Sequence, residues 1–171
     1  MSLHNPASLF IPATAVVERR PATSRWADHV WRAVEVLEGV PDLAPWTVLR
    51  EEEGRTLFLA GQAEVALHPT DTDNYKHNIE SARPTVWVVL RPAAGEPGFA
   101  LHTITVDAGE AHLYADAGND LLEALPMPAF LLPQVTAFVA EHHKDRMFHK
   151  RKRDRANPEA LGRRGPGEDE A

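Results

Sequence analysis

Six short apolar runs follow one another along the chain: Ala13 to Arg19, His29 to Leu37, Trp46 to Arg50, Thr56 to Leu67, Thr85 to Arg91 and Phe99 to Val106. They are rich in Val, Trp, Thr and Leu, side chains that fit a pleated, half-buried surface. Pro, Gly and acidic clusters separate them. Glu51-Glu52-Glu53-Gly54 and Ala93-Ala94-Gly95-Glu96-Pro97-Gly98 read as hairpin connections. Gly61, inside the longest run, predicts a bulge or a sharp bend. This pattern constrains the fold to antiparallel strands closing over a shared core.

Helix signals are fewer. Asp107 and Glu110 have the spacing of a capping box, opening a helix that would run to about Ala117 and stop at Gly118-Asn119. Asp71 or Thr72 is placed to cap a short turn in which Tyr75 and Ile79 share a face. Leu131, Val135, Phe138, Val139 and His142 form the stripe of a helix packed on a core. Pro133 lies within it, so this helix either starts there with Pro at its first position or is kinked. The elements predict a single α+β domain, with a curved antiparallel sheet or small barrel of about six strands and two to three helices. Residues 1–12 read as a flexible leader and 13–143 as the globular domain. Residues 144–171 read as a disordered tail, first basic and then acidic.

With 171 residues and 43% hydrophobic content, one domain with a real core is expected. The chain has no cysteine, which removes disulfides, thiolate nucleophiles and cysteine-based zinc or iron–sulfur sites. The N-terminal stretch lacks the cationic and apolar regions of a signal peptide, and no run approaches the roughly 18 apolar residues of a spanning helix. A cytoplasmic protein without membrane contact is the expectation. Charge is unevenly spread: residues 144–155 carry seven Lys/Arg against two Asp, whereas residues 1–143 carry nine Lys/Arg against nineteen Asp/Glu. A basic segment on an acidic body suits an anionic partner, and equally a solvated tail.

Chemical motifs are scarce. Adjacent helical residues point about 100° apart, so His142 and His143 cannot share one ion, and no His-Glu-x-x-His spacing occurs. Asp71-Thr72-Asp73-Asn74 resembles the start of a calcium loop, but its sixth position is Lys76 rather than glycine. No nucleophile elbow or phosphate loop is present, and Leu59-Ala60-Gly61 lacks the glycines and basic residues that hold phosphates. No catalytic, cofactor or metal residue is assigned, and an enzyme with an unrecognised site is the least favoured class. The candidates are partner-binding residues: Arg19, Arg20, Trp26, His29, Trp31 and Arg32 as a polar-aromatic surface, His142 and His143, and Lys150, Arg151, Lys152, Arg153 and Arg155 as a basic arm. The competing reading of the first group has Trp26 and Trp31 packing on the sheet while the arginines face water.

Several strings, taken in order, resemble a known family. They are Ala15-Val16-Val17-Glu18-Arg19-Arg20-Pro21, Trp26-x-x-His29-x-Trp31-Arg32, and Tyr75-x-x-Asn78 leading into Arg83-Pro84-Thr85-Val86-Trp87. Pro126-Met127-Pro128, Phe138-Val139-x-x-His142-His143 and Phe148-x-Lys150-Arg151-Lys152-Arg153 continue the likeness to about residue 155. The family is the bacterial domain of unknown function 3305. The resemblance implies a role beside molybdenum-dependent formate dehydrogenase, in its maturation or assembly, with a dehydrogenase component or maturation factor as partner. A label of molybdopterin-guanine dinucleotide synthesis carried by some members fits poorly, because the nucleotide loop is missing. A sulfur-transfer step would need a thiol carrier, which this chain lacks. The alternative is a nucleic-acid or ribosome-associated module using the basic arm, which the acidic body disfavours.

Overall fold

The computed structural model describes residues 7–116 and 118–145. Strand β1 (Leu9–Pro21) pairs on one side with β2 (His29–Glu38) and on the other with β4 (Arg55–Leu67), which also carries the short β3 (Thr47–Glu52). A second sheet places β5 (Thr85–Pro92) between β6 (Phe99–Thr105) and β7 (Leu121–Pro126). All of these pairings are antiparallel. A short turn and helix α1 (Thr72–Ile79) join the sheets, α2 (Ala108–Asp116) links β6 to β7, and α3 (Leu132–His142) follows β7.

The α+β class stands, but the expected single curved sheet or barrel does not. The strands divide into sheets of four and three, and β4 lies alongside β6 without strand pairing between them among the described residues. The physical reason is local. Gly61 faces Leu101 so closely that a Cβ on it would lie 3.2 Å from the leucine Cβ. The two strands therefore meet through a side chain packed on bare backbone, not through a ladder. The bend expected at Gly61 is present: Ala15 pairs with Gly61 and Val16 with Leu59, which leaves Ala60 as the extra residue of a bulge.

β1 begins at Leu9, inside the stretch expected as a leader, and Ile11 is buried. Pro12 is tolerated in this strand because a residue's N and C=O point to the same edge. The Pro12 carbonyl accepts from the Gly39 N–H, in the turn just beyond the last β1–β2 rung. β7 has no counterpart among the expected strands.

The core lies between the sheets and under the helices. Ala13, Ala15 and Val17 of β1 meet Val86, Val88 and Leu90 of β5 and Leu131, Val135 and Phe138 from the α3 region in one buried cluster. The apolar stripe on α3 is thus a core face, and Pro133 sits in the first turn as anticipated. Two polar pins hold α1. Asn78, 5% exposed, donates to the carbonyls of Thr85 and Val106 and accepts from the Thr85 N–H. The Tyr75 hydroxyl accepts from the His68 N–H, and burial pushes the Tyr75 ionisation well above its ordinary value. At α2, Asp107 accepts from the Gly109 and Glu110 N–H groups. The reciprocal half of the expected capping box differs: the Asp107 N–H donates to Thr105 Oγ1, and that hydroxyl donates to Glu110.

Candidate functional site

The β1–β2 hairpin brings most of the front candidates to one end of the four-stranded sheet. Cross-strand register sets Arg19 opposite Trp31, Arg20 opposite Val30 and Glu18 opposite Arg32. Alternation then separates two surfaces. On the face that continues from Val17, the Trp31 ring packs against Trp46, Phe58 and Phe99 at centroid distances of 5.8, 5.6 and 6.5 Å. The Arg19 guanidinium caps this cluster, 5.6 Å from the Trp31 ring and 5.1 Å from Phe58. His29 meets the edge of Trp31 at 6.3 Å. Trp46 holds a backbone φ of 65°, a region that costs a bulky residue about 1–2 kcal/mol. Ring packing and the bond from its N–H to the Leu59 carbonyl keep it there.

The opposite face carries ions. The Glu18 side chain, 6% exposed, pairs with Arg20 and with Arg55, whose Nη1 is 3.7 Å away. Arg55 also pairs with Glu52 at 2.7 Å, and Arg50 reaches the same carboxylate at 2.6 Å. The Arg55 hydrogen bond, with help from Arg50, holds the Glu52 carboxyl below its usual range. These carboxylates are therefore consumed internally. Arg19, Arg25 and Arg32 make no ion pair among the described residues. At the hairpin tip Trp26 is 94% exposed.

The histidine candidates lie elsewhere and diverge. His142 stacks near Phe138 at 4.4 Å, while His143 reaches back to α1. Its Nδ1 lies 3.2 Å from Thr72 Oγ1 and 3.5 Å from Asp73, and its Nε2 lies 3.0 Å from Asp145. That contact, with Lys76 behind it, holds the Asp145 carboxyl below its usual range. Ser8 Oγ is 2.8 Å from His68 Nδ1, but no carboxylate orients that imidazole among the described residues. Thr72 is buried against its histidine and offers no approach for a substrate. No group of three His, Asp or Glu side chains among the described residues could hold a metal ion. Lys150, Arg151, Lys152, Arg153 and Arg155 lie outside the described residues.

A family model described as a protein of unknown function, DUF3305, matches residues 12–152. The chain belongs to the DUF3305 family. Apart from the first three residues of β1, the match takes in both sheets, and it covers all three helices and the Arg19–Trp31 surface. No curated protein and no solved structure is detectably similar to the chain.

In this DUF3305 protein the front candidates do not act alike. Arg19 and Trp31 belong to the packed aromatic cluster, Arg20 is neutralised by Glu18, and Trp26 and Arg32 face water. The packing expected of Trp31 and the exposure expected of Arg20 and Arg32 are present, whereas Trp26 does not pack on the sheet and Arg19 lies over the rings. Sequence reasoning missed Trp46, Phe58, Phe99 and Arg55 as members of the site. Phe58 and Arg55 come from β4, Trp46 from the turn before β3 and Phe99 from β6 of the other sheet, so strand pairing and the packing of the two sheets bring them together.

Proposed function

We propose that this DUF3305 protein is a cytoplasmic, non-catalytic accessory protein that docks onto a protein partner through the β1–β2 end of its four-stranded sheet. The observation that carries the reading is Trp26, an indole 94% exposed at the tip of a hairpin that also presents Arg19, Arg25 and Arg32 without carboxylate partners. Trp and Arg dominate binding hot spots, because each contributes a large contact area together with a directed polar group. The aromatic cluster holds Arg19 and Trp31 in place, which lowers the ordering entropy those two side chains would lose on docking. No described helix is long and apolar enough to cross a membrane. The partner implied by the family resemblance is a component or maturation factor of molybdenum-dependent formate dehydrogenase, with the basic segment Lys150 to Arg155 as an auxiliary arm.

Affinity-tagged protein recovered from its native host grown with formate tests this reading. A formate dehydrogenase subunit or maturation factor should co-purify, and deletion of the gene should lower formate dehydrogenase activity. Full activity in the deletion strain, with no dehydrogenase component captured, contradicts it.

A further inference from the structure

We infer that the segment of the partner seated on the β1–β2 hairpin is acidic and carries an apolar side chain for Trp26; the inference rests on the docking role proposed above. Charge asymmetry within the body is the first support. Residues 18–32 carry four arginines against Glu18 and Asp28, whereas residues 33–143 carry five Lys/Arg against seventeen Asp/Glu. The hairpin is a cationic end on an anionic body, and Glu18 is already engaged by Arg20 and Arg55. Repulsion from residues 33–143 turns an acidic ligand toward this end of the body rather than toward its other surfaces.

The second support is how the cations are presented. Arg19 lies over Trp31 and Phe58, so its guanidinium is held by ring faces while its N–H fork has no carboxylate partner among the described residues. A guanidinium fixed in this way accepts a carboxylate in bidentate geometry at a smaller loss of side-chain entropy than a free lysine would. Arg25 sits one residue before the exposed Trp26, and Arg32 is exposed on β2. Register sets Arg32 on the Glu18 face and Arg19 on the Trp31 face, so an acidic and apolar segment would meet Arg19 together with the tip residues Arg25 and Trp26. A duplex nucleic acid fits less well, because its phosphates extend past the hairpin and meet the acidic body.

Fluorescence anisotropy with the full-length protein tests the inference. The probe is a fluorescein-labelled peptide of alternating Asp, Glu and Leu. Its amide twin, with Asn and Gln in place of the acids, and a labelled DNA duplex serve as comparisons. The acidic peptide should bind at least about tenfold more tightly than the amide twin, and its binding should weaken as salt rises. Trp26→Ala combined with Arg25→Glu should lower that affinity by about tenfold or more without moving the thermal midpoint. Equal binding of the two peptides, an unaffected double variant, or tighter binding of the duplex overturns the inference.

The same double variant separates this idea from the docking role. If it still captures the dehydrogenase component in the host, docking stands on another surface and the acidic-segment inference falls. If the wild type captures nothing but binds the acidic peptide selectively, the named partner falls and the inference stands.

Discussion

The two ends of β1 are built from opposite materials. At the Leu9 end, Ile11 and its neighbours Val65 and Leu67 on β4 share one buried cluster with Tyr75 and Phe138, and the Tyr75 hydroxyl accepts from the His68 N–H. At the other end the same strand carries Glu18, Arg19 and Arg20 before Pro21, and their ladder partners are Val30, Trp31 and Arg32 on β2 and Thr56 and Leu57 on β4. The helices cover the first end. At the second, Arg19 caps the aromatic cluster, Arg20 is paired with Glu18, and Arg25 and Arg32 make no ion pair among the described residues. Burial of apolar area accounts for the first arrangement, and it would favour a plain apolar cap at the second. An exposed indole among uncompensated arginines contributes little to folding, and the docking proposed above would give it a role.

Substitutions at the two ends should therefore separate stability from partner binding. Phe138→Ala has the largest expected effect. The ring is 4% exposed and packs against Tyr75, so its loss should cost about 3–5 kcal/mol in denaturant unfolding. A cost below about 1 kcal/mol would place the α3 stripe among the binding surfaces instead.

Next comes Asn78→Ala, which strands the Thr85 N–H and the Val106 carbonyl in a buried setting. A loss of about 2–4 kcal/mol is expected, measured in the same way. Partner capture at the hairpin should survive at temperatures where the variant remains folded.

A smaller effect is expected at the Arg91–Asp120 pair, where Arg91 donates to both carboxylate oxygens at 3.2 and 3.1 Å. The Arg91 hydrogen bond holds the Asp120 carboxyl below its ordinary range. Stabilisation from this pair is complete above the unfolded carboxylate value of about 3.9 and disappears as pH falls through the lowered folded value. Asp120→Asn should lower the thermal midpoint at neutral pH and flatten its decline in acid. A parallel decline in wild type and variant would show that the pair does not contribute.

Much of the fold was legible because strand chemistry and turn residues agreed. The runs beginning at His29, Thr56 and Thr85 fold as strands to within a residue or two at either end. β7 was not legible. Leu121 to Pro126 has neither β-branched nor aromatic residues, and its strand conformation follows from pairing with β5. Where β4 and β6 meet, Gly61 packs against Leu101, a contact between residues forty apart in sequence that no local pattern signals. Within the candidate site, the sequence singled out the hairpin residues but not their packing partners Trp46, Phe58 and Phe99. Which arginines stay uncompensated depends on Glu18 and Arg55 meeting across β1 and β4, and no local spacing encodes that meeting.

The smallest expected change in stability belongs to the hairpin tip and gives the most direct test. Wild type and Trp26→Ala/Arg25→Glu should be compared for thermal midpoint and for recovery of the formate dehydrogenase component from the host. Because Trp26 is 94% exposed and Arg25 makes no ion pair among the described residues, stability should change by no more than about 0.5 kcal/mol. Recovery of the partner should fall at least about tenfold, as expected for loss of a Trp-centred hot spot. Undiminished recovery at an unchanged midpoint would contradict the claim that this end of the sheet is the binding surface.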